Sequence, residues 1–167
     1  MHNGKKTYLV VTAVAGAVLA TVAFATPSSG ILGAPVFARA SFVSPVDFKF
    51  KVKDGSQAVI EVDNTRETVV QQIVISPGGQ TGWHSHPGPV IVLIKAGTMT
   101  FYDGDDPTCA AHTFTVGQSF IDNFEHHVHI ARNESASENL ELWAVYMDVP
   151  PGGAFRLDAA APGNCAF

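Results

Sequence analysis

The chain has seven histidines among its 167 residues, and four of them fall into two pairs with the same spacing. His84 and His86 flank Ser85; His127 and His129 flank Val128. A neutral imidazole offers one lone pair to a metal ion, and it exchanges a proton near neutral pH. In an extended strand, residues i and i+2 project from the same face. Each pair therefore delivers two imidazoles into one space. Two such strands brought together make a facial site for a divalent transition metal. The same spacing also suits a solvent-facing pair of histidines, and spacing by itself leaves both readings open.

The elements that must position these residues read as strands. Phe48, Phe50 and Val52 alternate with Lys49, Lys51 and Lys53, the period of a half-buried strand. Asp54-Gly55 is a hairpin turn signal. Further strands are expected over 58–62, 68–75, 90–94, 98–102, 111–116, 119–121, 127–131 and 140–149, with a short edge strand at 155–157. In the 140–149 segment Leu142, Ala144 and Tyr146 alternate with Trp143, Val145 and Met147. Short strands separated by Gly, Pro and Asp turns, with no amphipathic helix after the N-terminal segment, predict an all-β sandwich or barrel.

Met1 to Ala25 has the form of a secretory signal peptide. Lys5 and Lys6 precede an apolar run from Tyr8 to about Phe24, and Ala23-Phe24-Ala25 is a small-x-small cleavage site. An uncleaved membrane anchor is the alternative, and both place the domain outside the cytoplasm. Residues 26–45 show neither a 3.6 nor a 2.0 period and read as a linker, with room for a short piece laid on the domain, leaving 46–167 as one domain. Cys109 and Cys165 each sit in a loop-like context. In an oxidising compartment they are expected to pair and tie the C-terminal tail to the body.

The net charge is −5, with 10 basic and 15 acidic residues. Without a Lys/Arg cluster, such a chain is a poor candidate for nucleic acid or an anionic membrane surface. It contains no nucleophile elbow and no phosphate-cradling loop.

From Ser76 to Val149 the chain resembles the cupin superfamily. The first cupin motif is a glycine, five residues, His-x-His, three or four residues, a glutamate, six residues and a glycine. Gly78, His84, His86 and Gly97 occupy these positions, and Val90 stands where the glutamate belongs. The second motif begins at Gly117 and ends in His129 and Asn133, which keep its closing spacing. Its internal Pro and Gly are absent, and the Asn123-Phe124-Glu125-His126 region makes that loop one residue longer than the pattern. The resemblance implies a single-domain cupin-type β-barrel, a jelly roll or double-stranded β-helix of two facing antiparallel sheets. It also implies a divalent transition metal (Fe, Mn, Zn, Ni or Cu) held by His84, His86 and His129 near one open end. His127 is the alternative third ligand.

Replacing the glutamate by Val90 changes the electrostatics. Three neutral imidazoles leave a divalent ion with its full charge and with open positions for water, a chelating ligand or dioxygen. Some cupins of this kind are three-histidine dioxygenases; others lose the metal. Asp122 and Glu125 are candidate substitute carboxylates, with Gln80 and Gln118 weaker, although loop carboxylates are more often solvated. His126 is expected to point away from His127 and His129, and His112 to lie at the surface. Trp83 and Phe124, next to the histidine segments, are expected to frame an entrance. The resulting expectation is an exported protein that binds metal and a small molecule, with dioxygenase-type oxidation as the first reaction class. The alternatives are a non-enzymatic binding module and a barrel that forms a homodimer through its sheets.

Overall fold

A computed structural model describes residues 24–51, 53, 59–122 and 127–167. The signal segment falls almost wholly outside these residues, as do the Asp54-Gly55 turn, Phe124, Glu125 and His126. All regular structure among the described residues is β: β1 (Ser29–Gly33), β2 (Val36–Lys51), β3 (Val59–Gln80), β4 (His84–Ser85), β5 (Val90–Ala96), β6 (Thr98–Asp103), β7 (His112–Thr115), β8 (Ser119–Asp122), β9 (His129–Arg132), β10 (Leu140–Val149) and β11 (Leu157–Asp158).

Two antiparallel sheets face each other. In one, β3 pairs with β10, β10 with β5 and β5 with β8, while β1 and β2 lie against the other edge of β3. In the other, β11 pairs with β4, β4 with β9, β9 with β6 and β6 with β7. The Gln80↔Arg132 bridge between β3 and β9 joins the sheets into a nearly closed barrel. This is the all-β barrel of two facing antiparallel sheets that was expected.

Strand alternation fills the interior. Leu140, Leu142, Ala144 and Tyr146 of β10 point inward beside Val90, Val92 and Ile94 of β5, and meet Met99 and Ala131 of the facing sheet. Burying such side chains contributes roughly 1.5–3 kcal/mol each. Asn133, 1% exposed, pins the turn after β9: its amide donates to the Ile75 and Glu138 carbonyls at 3.0 and 2.8 Å. That accounts for Asn133 structurally, with no need of contact with a ligand.

Residues 26–45 are not the linker expected from their composition. Ser29–Gly33 and Val36 onward are strands paired with β3. The register shifts at Ile31, between Val36 and Ala38, and between Ser41 and Val46, and each shift moves the alternating pattern to the other face. No single period survives in the sequence. The strands expected over 58–62 and 68–75 are likewise one long strand, β3, carried past a left-handed Asn64 with φ of 60°. The edge strand expected at 155–157 lies at Leu157–Asp158.

The outer face of the β4-β9-β6 sheet is covered by the C-terminal tail. Trp83, Tyr102 and Ile130 form a second small core against Cys109 and Cys165, which form the expected disulfide. Phe167 stacks on Trp83 with ring centroids 6.5 Å apart and lies under the Arg132 guanidinium at 4.0 Å.

Candidate metal centre

β4 and β9 place three imidazoles in one corner of the barrel interior. His84 and His129 are direct cross-strand partners, and His86 follows His84 on the same face. Ring centroids are 4.4 Å apart for His84–His129, 4.9 Å for His84–His86 and 5.1 Å for His86–His129. The exposures are 5%, 5% and 4% for His84, His86 and His129. Each ring offers a ligand atom lying within 4.8 Å of those of the other two.

The second ring nitrogen of each histidine is occupied by main chain. His84 Nδ1–H donates to the Gly82 carbonyl at 2.8 Å, His86 Nδ1–H to Phe155 at 2.7 Å, and His129 Nδ1–H to His127 at 3.1 Å. These bonds select the tautomer that carries its proton on Nδ1, leaving Nε2 with a lone pair. A metal-ligating histidine is commonly held this way, with its other ring N–H bonded to a carbonyl that fixes the ring. Burial also keeps the rings neutral. Desolvation, reinforced by the cost of a second charge beside His129, Arg156 and His86, pulls His84 well below the ordinary histidine range. Burial and then His129 lower His86 to about 4, and burial lowers His129 despite the opposing charge of Asp122. Three buried, neutral, converging nitrogen donors fit a divalent transition metal.

The rings line one end of a cavity of about 170 Å³. Its other walls are mostly apolar and include Ile73, Val92, Phe101, Phe120, Leu142 and Ala144. An apolar site of about 150 Å³ holds benzene, so a molecule of similar size fits here. Phe101 lies flat against His129, centroids 5.0 Å apart and planes inclined by 24°. Tyr146 packs on His86 at 5.1 Å and donates its hydroxyl to Gln71 Oε1 at 2.9 Å. Burial raises the Tyr146 phenol, so it is protonated at neutral pH. Arg156 also reaches this end, donating from Nη2 to the Thr81 carbonyl at 2.6 Å.

Asp122 is 7% exposed and lines the cavity beside the rings. Its Oδ2 is 3.5 Å from His129 Nδ1, and its Oδ1 is 4.0 Å from His127 Nδ1. Burial alone would raise its pKa, but contact with His127 and the nearby imidazoles holds it below the ordinary carboxylate value. Of the candidate substitute carboxylates among the described residues, it is the one drawn into the site rather than solvated. Gln118 instead accepts from Thr115 in the β7–β8 turn. Gln80 belongs to the β3–β9 bridge.

His127, the alternative third ligand, stands outside the three-imidazole group. Its Nε2 lies 2.5 Å from Asp103 Oδ1, and the acidic neighbours Asp122 and Asp103 raise it to about 9 against the opposing effect of burial. It groups instead with Asp122 and His129, and with Asp103 and Asp105. His112 is exposed at the start of β7, as expected. Trp83 does not frame an entrance: it is 1% exposed in the second core. The same alternation that turns His84 inward sends Trp83 to the opposite face. The aromatic cavity walls are Phe101, Phe120 and Tyr146 instead.

No protein-family model matches this sequence, and no curated protein does. Solved structures resemble the fold. A cupin-like protein from Thermotoga maritima aligns at 22% identity and a TM-score of 0.46, over 56% of this chain and 65% of that one. A Klebsiella pneumoniae protein with a double-stranded β-helix domain aligns at 21% identity and 0.45, over 74% of this chain and 86% of that one. An oxalate oxidase aligns at 14% identity and 0.46, over 55% and 46%. The chain thus spans less than two thirds of the first of these structures and under half of the oxidase.

Proposed function

We propose that this protein is an exported metalloprotein that holds one divalent transition metal through His84, His86 and His129 and takes a small, largely apolar molecule beside it. The observation that carries this reading is the tautomer selection: three buried rings each spend Nδ1–H on a backbone carbonyl and keep Nε2 for a shared point. Three protein ligands leave coordination positions open, as catalytic sites do. A bound ion would supply Lewis acidity or redox chemistry at the polar end of the cavity.

The reaction class favoured is metal-dependent oxidation of the small molecule, ahead of isomerisation or hydrolysis. The apolar walls shield a reactive centre from water, and the protonated Tyr146 hydroxyl is already engaged with Gln71. Export is supported by the Cys109–Cys165 disulfide, which belongs to oxidising compartments. None of the described residues forms a helix long and apolar enough to cross a membrane.

The test is metal content per chain in protein purified without a histidine tag, followed by titration of the metal-stripped protein. One tightly held ion in the wild type and none in folded His84→Ala is the expected result. A wild type that binds no divalent metal refutes the reading. Oxygen uptake with a panel of small aromatic and aliphatic substrates then separates an oxidase from a binding module.

A further inference from the structure

Val90 stands where the resemblance expects a carboxylate. Its direct partner across the β5–β8 ladder is Asp122. Cross-strand partners point to the same face with Cβ atoms about 4.5–5.5 Å apart. A side chain at position 122 therefore enters the same corner of the barrel as one at position 90. Both residues line the cavity with the three histidines.

We propose that Asp122 is the carboxylate of this metal centre, moved to the facing rung of the neighbouring strand and acting through His129. It is a positioning residue rather than a ligand. Its carboxylate oxygen groups within 4.8 Å with His127 and His129, and not with His84 and His86. The contact it makes is to the ring nitrogen of His129 that does not face the shared point: Oδ2 to Nδ1 is 3.5 Å. That N–H donates to the His127 carbonyl at 3.1 Å, with the Asp122 carboxylate 3.5 Å away on the same side of the ring. His84 and His86 have a carbonyl alone.

An outer carboxylate on a metal-binding histidine fixes its orientation and strengthens it as a donor, and losing one weakens metal affinity by roughly 10–100-fold. A carboxylate buried against Phe101, Phe120 and Val90 is costly unless paired, and here its nearest partners are two histidines. Asp122 thus makes His129 unlike the other two rings, and it supplies a negative charge that the first motif no longer provides.

The inference rests on the metal reading above, and the experiment separates the two. Zinc affinity is measured by chelator competition at neutral pH on the wild type, Asp122→Asn and the Val90→Glu/Asp122→Asn pair. If the wild type does not bind zinc, the metal reading itself has failed. If it does, Asp122→Asn is expected to bind roughly 10–100-fold more weakly, and the added Val90→Glu to recover part of the loss. Unchanged affinity in folded Asp122→Asn overturns the proposal. The wild type gives an independent reading should the variants misfold. In the zinc-loaded protein the Nδ1–H resonance of His129 is expected to be more deshielded than those of His84 and His86, which bond only carbonyls. Three equivalent resonances overturn the assignment.

Discussion

His84 and His129 occupy facing positions on one rung of the β4–β9 ladder, with ring centroids 4.4 Å apart. Two residues far apart in sequence become neighbours through a single strand pairing. His86 completes the set because it is two residues on along the same face. The centre thus depends on one register. A slip of one residue in β9 would turn His129 outward and bring neighbouring side chains in.

The buried neutral histidines predict an acid-labile apo fold. A histidine whose folded pKa is depressed contributes stability that is present above its unfolded value of 6.5 and lost as pH falls toward the folded value. For His86 the window runs from 6.5 to about 4, a loss of roughly 3 kcal/mol at its lower end. His84 and His129 are shifted in the same direction. His127 acts oppositely. Its raised value of about 9 contributes stability that is full below 6.5 and fades as pH rises through 9. Denaturant midpoints of the metal-free protein should fall on both sides of neutrality, and His86→Leu should flatten the acid limb. An acid limb identical in wild type and variant contradicts the assignment.

Much of the centre was legible in the sequence. The i, i+2 spacing and the motif positions single out His84, His86 and His129, the three rings that the structure groups within 4.8 Å of one another. The same rule extends to Trp83: an inward His84 requires an outward Trp83, which the structure places under Phe167. Asp122 was harder. Which residue of β8 faces Val90 depends on the register of two strands separated by β6 and β7, and no local pattern records it. Residues 26–45 hide their strands for a related reason, since repeated register shifts erase the alternation that marks a strand.

The disulfide predicts a separable contribution to stability. Cys109 and Cys165 close a loop with a sequence separation of 56, for which the chain-entropy model gives about 4 kcal/mol. Cys109→Ser should lower the denaturant midpoint by an amount of that order. It should also free Phe167 from Trp83 and Tyr102 and shift tryptophan emission to the red. Zinc affinity should change little, because the tail covers the outer face of the sheet and the histidines lie on the inner one. Loss of metal binding together with the tail would show that this separation of faces is wrong.

Gly82 links the N-terminal segment to the centre. Its φ is +72°, and a Cβ there would stand 2.3 Å from the Thr26 carbonyl oxygen. Its own carbonyl fixes the His84 tautomer. Gly82→Ala should destabilise the fold by about 1–3 kcal/mol for the left-handed backbone alone, with further loss from the clash. It should also weaken zinc binding, because the acceptor for His84 moves. Gly78 has a similar φ of +71° but open space around it. Gly78→Ala should show the backbone effect without loss of metal affinity, and equal affinity loss in both variants would remove Gly82 from this role.

The central claim is that one ion sits among three particular nitrogens. The most direct measurement is an anomalous-difference map at the absorption edge of the bound metal, from crystals of protein loaded with that metal. The account predicts one strong peak at bonding distance from Nε2 of His84, His86 and His129, with Asp122 outside the coordination sphere. A peak elsewhere, such as at the Asp103–His127 pair, or no peak in crystals soaked with each candidate metal, would contradict it.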